Sequence, residues 1–246
     1  MCERGGSVNI VFVNYSLYGG CSGVHIHFLA NALQDRGHRC YVILPVEEYE
    51  PDYFGTPRYS FLAVEEAVAL LRRDSPLLRD AVFHAWTPRE IPRKLAGSLA
   101  QLAGRPYFVH LEDNEEYILE SLHHMPYASL VQEVKAGRIA CNDAFSHPLY
   151  YREFLRGAAG VTCIIKALTR FVPSGVPSLV FWPSCEDGPF SAFRQSPTGK
   201  CDISLACVMM KLYLHTLARC MWRMHGSWMN FSVRFHCWRN RGIRFG

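Results

Sequence analysis

The sequence predicts an α/β protein built on a doubly wound, mostly parallel sheet of the Rossmann type. Three observations carry this prediction. The strand-like runs are continuously apolar, as in parallel strands buried on both faces, and they alternate with segments of helical spacing. A glycine-rich loop joins the first run to the first helix. With 246 residues, 49% of them hydrophobic, the chain is large enough to bury a sizeable core.

The first βαβ unit opens the chain. The run VNIVFVN (8–14) predicts a buried strand, and RCYVILP (39–45) predicts the next one. Between them, apolar residues recur at helical spacing, with Ser22 as the predicted N-cap and Gly37 as the predicted stop. A strand, a helix and a second strand in this order make one βαβ unit.

The alternation continues to about residue 183. Further strands are predicted at 59–64, 81–86, 106–113, 160–165 and 177–183, and helices at 65–73, 88–104 and 126–158. Residues 47–58 contain two prolines and a glycine, and we expect them to pass over the carboxyl ends of the strands. We therefore predict one Rossmann-like domain over 1–183.

Composition excludes several classes of protein. The ten cysteines contain no Cys-x-x-Cys pair, which favours reduced core thiols over disulfides or zinc ligands, and we expect no metal. The apolar run Val8–Val13 is too short for a signal peptide. Charged residues interrupt the most apolar part of the tail, so no membrane span is predicted. We expect a soluble, cytoplasmic protein.

The carboxyl-terminal segment differs in kind. Residues 201–246 carry seven Lys/Arg and one acid, with three of the five tryptophans and five of the seven methionines. This bias suggests an aberrant, out-of-frame tail that follows a transition at 184–200. The alternative is a basic, aromatic-rich segment that binds RNA or a membrane surface. We favour the first and expect no nucleic-acid partner, because nucleic-acid binders combine basic patches with recognisable modules. Peripheral membrane contact stays open.

The loop YGG (18–20) is the strongest functional feature. Gly19 and Gly20 follow the first strand and precede the first helix, where backbone N–H groups and the helix dipole favour a phosphate. No Gly-Lys-Ser/Thr follows, and the spacing to Gly23 does not give the dinucleotide fingerprint. The alternative is a tight turn that binds nothing.

Polar side chains also gather near the ends of later predicted strands. His84 and His110 lie at the ends of two such strands, where α/β sheets place ligands, although each histidine is equally explained as structural. Glu112 follows directly and is the acid that we expect to face a cleft. Arg89 and Arg93 could bind a phosphate or carboxylate through two hydrogen bonds.

Two further acids belong to the next helix. Asp113 or Asn114 is the predicted N-cap, and Glu115 and Glu116 then lie in the first turn, where the helix dipole favours negative charge. We therefore assign these glutamates to helix stabilisation and leave Glu112 as the candidate for acid/base chemistry.

Four segments in series resemble the amino-terminal domain of two-domain (GT-B) glycosyltransferases of family 4. They are GGCSGVHIHFLANALQDRGHRCYVILP, HAWTPRE, PYFVHLEDNEE and GVTCIIKALTRFVPSGVPSLVFWPSCEDGPF. The resemblance covers about residues 8–195. The first segment carries most of it, through its Gly-Gly loop and the later Arg-Gly-His turn.

The resemblance implies a retaining, metal-independent transfer of a hexose from a nucleotide-sugar donor to a hydroxyl of a glycan or small-molecule acceptor. The donor is a substrate, and no separate cofactor is implied. Gly19 and Gly20 would border the donor phosphates, and His110 and Glu112 would line the transfer centre as catalytic residues. Trp86 and Arg89 would be the acceptor contacts.

The resemblance also raises doubt about activity. The family's donor-binding domain would need well over a hundred residues beyond 183, so we expect a truncated enzyme that is inactive alone. One alternative is a non-catalytic acceptor-domain subunit that works with a separate donor-domain chain. Another is a nucleotide-binding oxidoreductase domain, which the glycine spacing disfavours.

Overall fold

The computed structural model describes residues 7–15, 18–45 and 55–181. Its core is a sheet of seven parallel strands in the spatial order β3-β2-β1-β4-β5-β6-β7. The strands are β1 (Asn9–Val13), β2 (Arg39–Ile43), β3 (Ser60–Leu62), β4 (Val82–Trp86), β5 (Tyr107–Leu111), β6 (Gly160–Cys163) and β7 (Ser178–Val180). The predicted α/β class and Rossmann-like parallel sheet are confirmed.

Helices connect the strands. They are α1 (Cys21–Asp35), α2 (Val64–Arg72), α3 (Pro76–Arg79), α4 (Glu90–Ala103), α5 (Glu115–His123), α6 (Tyr127–Lys135) and α7 (Tyr151–Gly157), with a 3₁₀ helix at Lys166–Phe171. The prediction of a mostly helical stretch over 126–158 is wrong for its middle part. There, Gly137 at φ +71° follows α6, and Pro148 lacks the N–H that a continuing helix needs.

Buried side chains cover both faces of the sheet. In β1, Val11 and Val13 belong to a core that also contains residues of α2, α4 and α7, whereas Phe12 belongs to a second core with Ile26 and Ala30 of α1. Each fully buried side chain of this size stabilises the fold by roughly 1.5–3 kcal/mol. This two-sided burial explains why the strand sequences are continuously apolar.

The strand order reverses beside β1. From β1 the chain runs through α1 to β2 on one side, and from β3 it returns to β4 on the other side of β1. In open parallel sheets the crevice at such a switch point, at the carboxyl ends of the strands, is where ligands bind. The fold therefore places its candidate site at the carboxyl ends of β1 and β4.

Some sequence-based predictions lie outside the described residues. They are the transition at 184–200, the tail at 201–246 and most of the excursion at 47–58. No helix in the described ranges has the length and apolar character needed to cross a membrane.

Candidate functional site

The candidate residues of the sequence analysis gather at one edge of the sheet. They follow β1 (Gly19, Gly20), end or follow β4 (Trp86, Arg89), and end or follow β5 (His110, Glu112). β4 lies between β1 and β5, so their carboxyl ends are neighbours. His84 differs from its prediction, because it lies in the middle of β4 and not at its end.

The glycine loop leads directly into α1. The N-cap of α1 is Gly20, with extended backbone at φ −82° and ψ 172°, and among the described residues no side chain caps the helix. A Cβ added at Gly19 would meet no atom within 4 Å. The start of α1 thus combines the positive end of a helix dipole with open space beside Gly19.

The predicted N-cap Ser22 is wrong. Ser22 lies inside the first turn, and its hydroxyl donates a hydrogen bond to Oε2 of Glu112. The helix begins two residues earlier because Gly20 adopts the extended N-cap conformation and its carbonyl accepts from Val24 N at 3.3 Å.

Gly23, in the first turn of α1, packs directly against the glycine loop, a contact that the sequence did not predict. A Cβ at this position would lie 1.8 Å from the carbonyl oxygen of Tyr18. The glycine loop therefore lies against the first turn of α1 so closely that only glycine fits. The spacing Gly19, Gly20, Gly23 reflects one loop folded onto one helix start.

Glu112, directly after β5, joins the end of β4 to the first turn of α1. Its Oε1 accepts a hydrogen bond from Trp86 Nε1 at 2.6 Å, and its Oε2 accepts from Ser22. Burial raises the pKa of this carboxyl to about 7, although the two hydrogen bonds oppose the shift. Glu112 can therefore both hold and release a proton near neutral pH.

His110 lies between two aromatic rings. Trp86 stacks on it with centroids 4.2 Å apart, and Phe181 stacks on it at 5.1 Å. The ring is 1% exposed, and its Nε2 has no hydrogen-bond partner among the described residues. Burial lowers the pKa of His110 well below its ordinary value, so the imidazole is neutral at physiological pH.

Thr162 of β6 connects His110 to a second histidine. Its Oγ1 lies 2.8 Å from His110 Nδ1 and 3.1 Å from His84 Nε2, and burial lowers the pKa of His84 to about 4. A hydroxyl has one proton to donate, so at least one of the two neutral rings donates to Thr162. A threonine inside a strand gave no sequence signal for this role.

Arg89 is held by the protein's own acids. Its side chain is 5% exposed, and its guanidinium lies 2.9 Å from Asp113 Oδ2 and 3.4 Å from Glu115, which also accepts from Ser146. The guanidinium carbon lies 4.3 Å from the centre of the Tyr15 ring. Burial would lower the pKa of Arg89, but Glu115, Tyr15 and Asp113 together raise it. Arg89 is therefore a fixed charge between the β1 loop and the start of α5.

The acceptor contacts implied for Trp86 and Arg89 remain predictions. Trp86 has no exposed surface, and its indole N–H is directed to Glu112. The structure instead surrounds Glu112 and His110 with side chains that hold them in place.

The residue after Trp86 is strained. Thr87 has φ +82°, a conformation that costs a β-branched residue about 1–3 kcal/mol, and its N–H donates to His110 O at 3.1 Å. Local strain of this kind clusters at functional sites because the surrounding structure must impose it. The turn after β4 is therefore fixed against β5.

The arrangement brings three groups to one sheet edge: the start of α1 with no capping side chain among the described residues, the Glu112 carboxyl with its raised pKa, and a buried neutral histidine. Within the described ranges, no group of three or more His, Cys, Asp or Glu side chains is arranged to hold a metal ion. The chain matches no protein-family model, and no curated protein is significantly similar to it. The chemistry is therefore argued from the geometry of the site.

Proposed function

We propose that the described domain is the amino-terminal, acceptor-side half of a two-domain glycosyltransferase that uses a nucleotide sugar. The observation that carries the proposal is the uncapped, glycine-lined start of α1 at the switch point, two residues from a serine that binds Glu112. Transfer of a sugar from a diphosphate requires a place for the phosphates and a group that can take a proton, and this edge offers both.

In this proposal the first-turn amides of α1 bind the donor diphosphate. As the bond between the anomeric carbon and the phosphate oxygen breaks, its electron pair passes to that oxygen. The fixed dipoles at Gly20 and the following residues stabilise the growing negative charge. The acceptor hydroxyl oxygen forms the new bond to the anomeric carbon, and Glu112 receives the proton that this oxygen loses.

The other side chains position these groups. Trp86 and Ser22 fix both oxygens of Glu112, and Thr162 fixes the ring of His110. Arg89 forms ion pairs with acids at the start of α5 and contacts the Tyr15 ring in the loop after β1, so it holds that loop near α5. Loss of any of these contacts would loosen the geometry of a group that reacts.

Calorimetric titration of the full chain with UDP-sugars, GDP-sugars and NAD tests the proposal. In the glycosyltransferases that the sequence resembles, the second domain makes most donor contacts, so we expect weak binding by this chain, with a Kd of about 1 mM. Gly19→Val should weaken diphosphate binding about tenfold without lowering stability, because its Cβ enters open space.

Gly97→Ala is the matched control. It adds a methyl group inside α4, where the nearest atom lies 4.0 Å away, and should leave diphosphate binding unchanged. Micromolar NAD binding would instead favour an oxidoreductase domain. Diphosphate binding that does not respond to Gly19→Val would contradict the proposed site.

A second candidate function is a non-catalytic acceptor subunit that works with a separate donor-domain chain. It is favoured by apolar side chains exposed at the β7 edge of the sheet, where Leu179 is 63% exposed and Ile165 and Val180 are also exposed. Such apolar exposure is typical of interaction surfaces. Size-exclusion chromatography of the chain as purified from its native source would distinguish the two, because only this candidate requires a stable companion chain.

A further inference from the structure

A second cationic site lies away from the carboxyl ends of β1, β4 and β5. Arg152 and Arg156 lie four residues apart on α7 and thus on one helix face, and Arg170 comes from the 3₁₀ helix. Together they line a cleft of about 250 Å³. The other lining residues are Phe171, Val172, Pro173 and Ser174, so none of the described residues that line this cleft is an acid.

Internal partners only partly neutralise the three arginines. Arg152 binds Glu116, with Nε 2.9 Å from Oε1, and Arg156 binds Glu153. Arg170 forms no ion pair with any described residue, and its guanidinium carbon lies 4.7 Å from the centre of the Phe171 ring. Among the described residues, the three arginines thus have two carboxylate partners.

The paired arginines keep hydrogen-bond donors for a ligand. A guanidinium has five N–H donors, and the contacts to carboxylates use Nε and Nη2 of Arg152 and Nη1 of Arg156. Like charges four residues apart on a helix repel each other, and the pairing of Arg156 with Glu153 offsets this repulsion only in part. An anion in the cleft would relieve that repulsion.

We propose that this cleft binds a phosphate group. Guanidinium groups match phosphate oxygens in charge and in their fork-like geometry, and three arginines line this cleft. Ser174 also lines the cleft, and Phe171, Val172 and Pro173 form an apolar wall for the rest of the ligand. The site shares no lining residue with the glycine loop and goes beyond the proposed transferase function.

The phosphate could belong to a soluble molecule or to a lipid headgroup. Calorimetry of the full-length Gly19→Val chain with inorganic pyrophosphate tests the first source, because that substitution weakens the expected diphosphate site at α1. Cosedimentation with vesicles of phosphatidylcholine and phosphatidic acid tests the second. In each assay, the double variant Arg156→Gln/Arg170→Gln should bind at least about tenfold more weakly than its parent.

Arg138→Gln is the matched control, because Arg138 is also an exposed arginine paired with a glutamate, Glu133. It should leave both assays unchanged. Arg170→Gln alone serves as a second variant, since it breaks no ion pair among the described residues and should not affect folding. The proposal is wrong if folded variants bind pyrophosphate and vesicles as tightly as the Gly19→Val parent, or if Arg138→Gln weakens binding equally.

Discussion

Two helices, α1 and α5, begin at the same edge of the sheet but differ in how the chain caps and neutralises their positive ends. At α5, Asn114 accepts a hydrogen bond from Tyr117 N at 3.1 Å, and Glu115 and Glu116 place negative charge in the first turn. At α1, Gly20 offers no capping side chain and the first turn has no acid. The described part of the chain thus supplies its own anions to α5, whereas at α1 it supplies no capping side chain and Glu112 binds the Ser22 hydroxyl.

Glu112 ties the two regions together. It follows β5 and precedes α5, yet its Oε2 accepts from Ser22 in the first turn of α1. Its pKa of about 7 means that the charge next to α1 changes near neutral pH. The difference in negative charge between the start of α5 and the start of α1 therefore depends on whether Glu112 is ionised.

Removing Arg89 should have the largest effect on stability, because it breaks the α5 side of the comparison. Arg89→Met leaves Glu115, which is 2% exposed, with Ser146 as its remaining hydrogen-bond partner among the described side chains. Breaking one partner of a buried ion pair should lower the free energy of unfolding by about 3–5 kcal/mol. Urea denaturation measures the change.

Arg138→Met is the control for this experiment. Arg138 pairs with Glu133 at the surface, where solvent screens the interaction, so we expect little change. Equal losses of stability in the two variants would contradict a special role for the Arg89 ion pairs.

Glu112→Gln tests the carboxyl that joins the two regions. Because its pKa is raised from 4.5 to about 7, folded protein holds a proton that unfolded chain has released. The resulting stabilisation is fully present below pH 4.5 and lost as pH rises through about 7. It amounts to at most about 3 kcal/mol, less with partial solvent screening. Glutamine cannot ionise and should remove this pH dependence.

His84 contributes with the opposite sign. Its pKa is lowered from 6.5 to about 4, so its contribution is present above pH 6.5 and lost as pH falls through about 4. This contribution is common to both proteins and cancels when their unfolding free energies are subtracted at each pH. A difference that stays constant between pH 4.5 and 7 would refute the raised pKa of Glu112.

Gly23→Ala breaks the α1 side of the comparison. The added Cβ would clash with the Tyr18 carbonyl, so the loop must move, and we expect a loss of about 1–3 kcal/mol in thermal or chemical unfolding. Gly97→Ala is the matched control, because the same methyl group in the interior of α4 should stabilise by up to about 1 kcal/mol. Losses of similar size at both positions would contradict the close approach of loop and helix.

Gly20→Asp sharpens the comparison and has the smallest expected effect on stability. It gives α1 the kind of anionic cap that α5 already has, and should stabilise the fold by about 0.5 kcal/mol while weakening diphosphate binding. Gly20→Asn supplies the cap without the charge and should keep more of the binding. Diphosphate binding that is equally strong in both variants and the parent would place the ligand elsewhere.

The sequence predicted the architecture because local signals determine it. Continuous Val/Ile runs identify parallel strands, and all seven strands of the sheet fall inside predicted strand segments. The N-cap Asn114 was one of two predicted residues, and its neighbours Glu115 and Glu116 lie in the first turn as expected. The helix predicted over 126–158 extends past the true end of α6, where Gly137 adopts φ +71°.

The site could be predicted only in part. Its strand-end residues were found from the rule that ligands bind at carboxyl ends, but their partners were not. The contacts of Glu112 to Ser22 and of Thr162 to His84 join residues 90 and 78 positions apart. Such contacts depend on the strand order, which single-sequence patterns do not determine. Arg89 likewise resembles a free cation in the sequence, because its pairing with buried Glu115 and with Asp113 depends on the fold.

The most direct test of the central claim is a titration of the ¹⁵N-labelled full chain with uridine diphosphate, followed by amide NMR shifts. We expect the largest shifts at the amides of Gly19, Gly20 and Ser22, small shifts at Glu115 and Glu116, and loss of the response in the Gly19→Val chain. Largest shifts at Glu115 and Glu116, or an unchanged response in the Gly19→Val chain, would contradict the account that α1 is the helix left open to an external anion.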